Sequence, residues 1–130
     1  MARVVDASGM VDLLTGSPTA DIVRDALLHD VVLAPELLDV EVASALAGLQ
    51  RGGKMTDIEA DDALGVMLNA PVVRVPHGPL IRAAWSRRDR LSLYDAVYVS
   101  LAAEVGCPLI TADRRLASSV NDIPVVVLPV

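Results

Sequence analysis

The stretch RVVDA, residues 3–7, opens the chain with a short β-branched run that meets a carboxylate, Asp6. Four further runs of the same kind are VVLAP (31–35), VVRVP (72–76), PLITA (108–112) and PVVVLP (124–129). Short, continuous, Val-rich runs are typical of strands covered on both faces, as in a parallel sheet with crossover helices. The runs therefore predict an α/β protein with a parallel sheet of about five strands.

Helical patterns fill the segments between these runs. Ser92 is a predicted N-cap, and so is Thr56 or Asp57. The predicted helices cover residues 18–29, 35–51, 56–70, 78–88 and 92–105. A chain of 130 residues can bury one hydrophobic core, so we expect a single domain over residues 1–130.

The composition narrows the class of function. A formal net charge of −6 argues against a simple electrostatic binder of nucleic acid, although a bound cation would weaken that argument. No apolar run reaches the roughly 18 residues that span a bilayer, and the N-terminus lacks the pattern of a signal peptide. The single Cys107 cannot form an internal disulfide, which fits a reducing compartment. We expect a soluble cytoplasmic protein.

Four carboxylates lie in otherwise apolar stretches: Asp6, Glu41, Asp95 and Asp113. Burying a lone ionised carboxylate is costly unless something compensates its charge, and the simplest shared partner is a divalent cation. A set of oxygen ligands without His or thiolate favours Mg²⁺ or Mn²⁺ over zinc. Without a cation, repulsion among the four acids should raise the pKa of at least one of them.

The predicted fold allows the four acids to converge. Asp6 closes the first predicted strand, and Asp113 directly follows the fourth. In open α/β sheets, ligands bind beyond the carboxyl ends of the strands, where the strand order reverses. Glu41 lies in the helix after the second strand, and Asp95 lies in the first turn of the helix before the fourth. One pocket can therefore receive all four side chains.

Each acid also has an ordinary structural interpretation. Asp95 follows Ser92 by three residues, which is a capping-box spacing, and Asp113 could cap a short helix. Asp6 could bind main-chain amides in the turn that follows it, and Glu41 could extend to solvent. All four interpretations would have to hold together, so the shared site is the stronger hypothesis.

The four acidic segments also resemble a known family. VVDASGMVDLL, LLDVEVASAL, LSLYDAVYVSLA and LITADRRL, in this order and spacing, closely resemble the acidic motifs of PIN-domain nucleases, and the short chain is similar to VapC-type toxins of toxin-antitoxin pairs. The resemblance implies a PIN-like three-layer α/β/α domain. It also implies an endoribonuclease that depends on Mg²⁺ or Mn²⁺, forms a homodimer and is inhibited by a VapB-type antitoxin.

The resemblance also implies roles for particular residues. The four acids would be the catalytic and metal-binding groups, and the hydroxyls of Ser8 and Thr111 would orient an acid or a bound water. The chain departs from the motifs at two positions. Ser44 stands where many relatives carry Asn, and Arg115 stands where some carry a further acid. These departures concern metal affinity and leave the four acids in place.

Basic and apolar residues suggest binding surfaces. Five arginines near two of the acids predict a phosphate-binding rim: Arg87, Arg88, Arg90, Arg114 and Arg115. The alternative is an ordinary solvated surface. The helices at 18–29 and 35–51 carry more apolar residues than one core stripe requires, so they could form a groove for an antitoxin helix, or they could be buried on both sides.

Two other functional classes compete with a nuclease. A phosphoacceptor receiver domain needs an Asp after its third strand and a Lys after its fifth, where this chain has VVRVP and VVVLPV. A non-catalytic binding module, in which the acids serve only as caps, also fits the sequence. Metal-dependent cleavage of RNA would exclude that module.

Overall fold

The computed structural model describes residues 1–128, which form a five-stranded sheet flanked by helices. Each strand pairs in parallel with its neighbours, in the order β3-β2-β1-β4-β5. The strands are β1 (Ala2–Val5), β2 (Val31–Pro35), β3 (Val72–Val75), β4 (Leu109–Thr111) and β5 (Val125–Val127). The predicted parallel sheet is therefore confirmed. Of the last predicted strand, residue 129 lies outside the described residues.

Seven α-helices and one short 3₁₀ helix, Gly78–Leu80, connect the strands within residues 1–128. The α-helices are α1 (Ala7–Leu14), α2 (Ala20–His29), α3 (Leu37–Arg51), α4 (Asp57–Asn69), α5 (Ile81–Trp85), α6 (Leu93–Val105) and α7 (Arg114–Ser118). Since parallel crossovers are right-handed, the helices after β1 and β2 lie on one face of the sheet, and those after β3 and β4 lie on the other. This gives the three-layer arrangement.

The helix α1 was not predicted from the sequence. Asp6 ends β1 and then caps α1 through its side chain, so the strand passes into a helix with no separating loop. The predicted helix at 78–88 is also shorter in the structure, where α5 ends at Trp85. The other predicted helices are present, and Thr56 forms the full capping box of α4 with Glu59.

The apolar residues that suggested an antitoxin groove differ in their exposure. Val23, Leu38 and Leu46 are buried, whereas Leu28 is 72% exposed. Packing accounts for the buried residues, because α1 and the sheet cover α2 and α3 on their apolar sides. Within residues 1–128, no helix has both the length and the apolar character needed to cross a membrane.

Candidate active site

The first acid, Asp6, lies buried between the ends of β1 and β4, which are adjacent where the strand order reverses. Its Oδ1 accepts hydrogen bonds from the Gly9 amide at 2.9 Å and from the Ser8 hydroxyl at 2.7 Å. Its Oδ2 accepts a 2.5 Å hydrogen bond from the Thr111 hydroxyl. The carboxylate is therefore held in one orientation from both sides of the strand junction.

Ser8 and Thr111 connect this acid to the loop after β4. Their hydroxyl oxygens lie 3.2 Å apart. Ser8 Oγ accepts the Ala112 amide at 2.8 Å, and Thr111 Oγ1 accepts the Asp113 amide at 2.9 Å. The two hydroxyls thus link the β1–α1 turn to the residues that carry the fourth acid, although they are about a hundred residues apart in sequence.

Glu41 projects from the second turn of α3 and is half-buried. The buried hydroxyl of Tyr98 donates a 2.6 Å hydrogen bond to its Oε1. Sequence reasoning missed this tyrosine. The one available signal was its position three residues after Asp95 on α6, because residues at this spacing share a helix face.

Asp95 and Asp113 border a cleft of about 290 Å³, whose wall also includes Arg90 and Arg115. Ser92 caps α6 by accepting the Asp95 amide at 3.1 Å. Asp113 caps α7, because its Oδ1 accepts the amides of the next turn at 2.9 and 3.2 Å. The capping interpretation of Asp113 is therefore correct for Oδ1, and this geometry leaves Oδ2 available to the cleft.

The acids share one electrostatic environment. Burial, and to a smaller extent the charge of Asp95, raises the pKa of Asp6 against the opposing effect of its hydrogen bonds. Burial also raises the pKa of Glu41, with smaller contributions from the charges of Asp95 and Asp6. The pKa of Asp95 is raised by burial and then by the charge of Asp113. The predicted abnormal titration is confirmed in direction, but burial has a larger effect than repulsion.

Tyr98 lies close to the same charges. Burial raises the pKa of its hydroxyl strongly, and the hydrogen bond to Glu41 and the nearby negative charges raise it further. The hydroxyl is therefore a permanent donor at physiological pH. It is the one neutral donor that the structure places on Glu41 among the described residues.

The carboxylate oxygens suit a hard cation that is bound by a few acids and water, and within the described part of the chain they do not form a preformed cage of protein ligands. Across residues 1–128, no three His, Cys, Asp or Glu side chains are grouped closely enough to hold a metal ion together. Mg²⁺ usually binds through one or two carboxylates and keeps several waters, so pairs of acids around the cleft suffice for this ion. Repulsion among like charges favours the separated arrangement.

The five predicted arginines have different surroundings. Arg90 and Arg115 line the cleft beside Asp95 and Asp113. Arg114, at the start of α7, is exposed.

The other two arginines are engaged with neighbouring groups. Arg87 forms two hydrogen bonds with Asp122, at 3.0 and 2.6 Å, and this contact raises its pKa. Arg88 stacks over the Trp85 ring at 4.6 Å from its centre. Of the five, Arg90 and Arg115 are therefore the ones that line the cleft beside Asp95 and Asp113.

Comparison with known proteins identifies the class. The PIN domain family model matches residues 3–120, and the chain therefore belongs to the PIN domain family. Within that family, it is similar to VapC ribonucleases. It is 47% identical over 115 residues to Ribonuclease VapC3 of Mycobacterium tuberculosis, covering 88% of this chain and 84% of the relative. It is 39% identical over 118 residues to Ribonuclease VapC1 of the same organism, covering 89% of each.

Solved structures show the same fold. PAE2754 from Pyrobaculum aerophilum superimposes with a TM-score of 0.69 at 26% identity, covering 96% of this chain and 92% of the other. VapBC2 from Rickettsia felis, bound to a DNA fragment from their promoter, gives a TM-score of 0.71 at 9% identity, covering 97% and 98%. The predictions of a PIN-like α/β fold and of a VapC-type chain are confirmed.

Proposed function

We propose that this chain is a metal-dependent endoribonuclease that acts as the toxin of a toxin-antitoxin pair. The single observation that supports this most strongly is the buried Asp6 carboxylate, held by three donors where β1 meets β4. A fixed, desolvated carboxylate is costly for stability and useful for binding a cation. The similarity to proteins named VapC ribonucleases supports the choice of RNA as substrate.

The four acids would hold the ion or ions in this proposal: Asp6, Glu41, Asp95 and Asp113. A bound Mg²⁺ or Mn²⁺ would supply Lewis acidity toward a phosphodiester and a water of lowered pKa. Ser8 and Thr111 fix the orientation of Asp6 through their hydrogen bonds.

The surrounding residues would bind the RNA backbone. Arg90 and Arg115 face the cleft beside Asp95 and Asp113, where a guanidinium can pair with a phosphate through two hydrogen bonds. Arg114, which is exposed at the start of α7, would add positive charge next to Asp113 in the chain. Arg87 and Arg88 contribute less directly, because Asp122 and Trp85 already engage them.

The proposed partners are a VapB-type antitoxin and a second copy of the chain. A shallow groove between α3 and α4 has an apolar floor that includes Leu46 and Leu64, with Asp57 and Asp61 beside it. An amphipathic helix with basic flanks would complement such a surface. The presence of VapB in the VapBC2 structure supports this choice of partner. Light scattering of the purified chain, alone and with a cognate antitoxin, tests both partners.

The deciding experiment is cleavage of total cellular RNA by the purified, antitoxin-free chain in Mg²⁺, Mn²⁺ or EDTA. Asp6→Asn and Asp95→Asn are the test variants, and Asp62→Asn, on the exposed side of α4, is the matched control. We expect discrete fragments that require metal, persist in the control and fall by more than about 100-fold in both test variants, since even outer-shell changes cost 10- to 100-fold. Intact RNA from folded protein that binds no Mn²⁺ would instead indicate a non-catalytic binding module.

A further inference from the structure

Tyr98 places a phenol hydroxyl inside the acidic site. The side chain is 1% exposed, and its hydroxyl donates to Glu41 Oε1 at 2.6 Å. Tyr98 and Asp95 lie three residues apart on α6, so the same helix face presents an acid of the site and a donor to another acid. Glu41 comes from α3, 57 residues earlier in the chain.

Packing alone does not explain the hydroxyl. A buried hydroxyl is costly unless it has a hydrogen-bond partner, and Phe would fill nearly the same space without that cost. Here the partner is a half-buried carboxylate that lies close to the charges of Asp6 and Asp95. A hydrogen bond to a charged group is stronger than one between neutral groups. The contact therefore favours one rotamer of Glu41 with its carboxylate ionised.

We propose that Tyr98 is a positioning residue that holds Glu41 through Oε1 and so leaves Oε2 available for a divalent cation bound together with one neighbouring acid, Asp6 or Asp95. This inference rests on the proposed function, because it assigns Tyr98 a role in metal binding at that site. Tyr98 acts only through Glu41 and is not itself a ligand. Outer-shell donors of this kind typically change metal affinity by about 10- to 100-fold.

The chain offers matched variants for a test. Tyr98→Phe removes the donor and keeps the ring. Tyr94→Phe, one turn earlier on α6, removes the hydroxyl of a side chain that is 60% exposed. Mn²⁺ binding to the full chain is titrated calorimetrically for both variants and for wild type, and then for Glu41→Gln with and without Tyr98→Phe. The cleavage rate is measured at limiting and at saturating Mn²⁺.

We expect Tyr98→Phe to weaken Mn²⁺ binding by about tenfold or more and to lower cleavage at limiting Mn²⁺, with recovery at saturation. Tyr94→Phe should match wild type. In the Glu41→Gln background, Tyr98→Phe should have no further effect on Mn²⁺ binding, because the carboxylate that would bind the ion is gone. Equal Mn²⁺ affinity in Tyr98→Phe and wild type, or an equal loss in both backgrounds, would overturn the proposal. Wild type that binds no Mn²⁺ would overturn the proposed function as well.

Spectroscopy keeps the inference testable if Tyr98→Phe fails to fold. The chain has two tyrosines, so Tyr98 is the sole phenol of the Tyr94→Phe protein. The tyrosine Raman doublet then reports donation by this hydroxyl alone. We expect it to shift when Glu41→Gln is added, because a charged acceptor is replaced by a neutral one. An unchanged doublet would show that Tyr98 does not donate to Glu41, which removes the basis of the proposal.

Discussion

Replacing Thr111 by Val should destabilise the metal-free protein through a single lost hydroxyl. Thr111 is fully buried, and its hydroxyl donates to Asp6 and accepts the amide of Asp113. A hydrogen bond to a charged group contributes about 1.5–3 kcal/mol, and a partly buried amide left without an acceptor costs about 1 kcal/mol. Val keeps the shape of the side chain, so we expect a loss of about 2.5–4 kcal/mol in the free energy of unfolding.

Thr111→Ser is the matched control, because it keeps the hydroxyl and loses only a methyl group, at about 1 kcal/mol. Urea unfolding in EDTA at pH 7 measures both variants without any contribution from bound metal. The difference of about 1.5–3 kcal/mol between the two variants is measurable against a total stability of about 5–15 kcal/mol.

The difference between the two variants should also depend on pH. Burial raises the pKa of Asp6 above its ordinary value of 3.8, so ionised Asp6 destabilises the folded state at neutral pH. Thr111→Val removes a hydrogen-bond donor to the ionised carboxylate, so it raises the pKa of Asp6 further and increases this destabilisation of the folded state. The cost is present in full above the folded-state pKa, falls as the pH drops through it, and vanishes below 3.8, where both states are protonated. Equal stability of Thr111→Val and Thr111→Ser at pH 7, or a difference that is the same at pH 8 and pH 4, would refute this reasoning.

Three further substitutions test local features of the fold by thermal or urea unfolding. Gly9→Ala would place a Cβ 2.9 Å from Val5 Cγ2 in the core. Overpacking costs about 1–3 kcal/mol, whereas the gain in helix propensity is roughly 1 kcal/mol, so we expect a lower melting temperature. An unchanged melting temperature would contradict the close approach of these two atoms. Gly106→Ala, at φ +75° where α6 ends, should cost about 1–2 kcal/mol, and a stabilised variant would show that the turn adopts another conformation. Arg74→Met should cost about 1–3 kcal/mol, because its guanidinium binds three main-chain carbonyls at the C-terminal end of α4 and in β3. Arg24→Met removes an exposed ion pair and should stay within about 0.5 kcal/mol. Similar losses in both variants would assign Arg74 only a surface role.

Local sequence predicted the strands and the positions of the acids at their ends. Val-rich runs of strand length are recognisable because each residue contributes its own preference for a covered strand. The position of Asp6 at the end of β1, and of Asp113 just after β4, then followed from the general geometry of parallel sheets. The helix α1 was not predicted, because Asp6 directly follows β1 and also caps α1, which leaves no loop residues to mark where the helix begins.

Other properties depend on residues that are distant in sequence. The pairing of Arg87 with Asp122 joins two loops 35 residues apart and engages one of the arginines that were predicted to bind phosphate. The hydrogen bond from Tyr98 to Glu41 spans 57 residues and depends on how α3 and α6 pack. The sequence by itself determined the α/β alternation, two helix caps (Ser92 and Thr56) and the placing of Asp6 and Asp113 at strand ends, because these depend on neighbours within a few positions. Tertiary structure alone decided which donors hold Asp6 and Glu41 and which arginines line the cleft, because side-chain partners are set by the packing of separate elements.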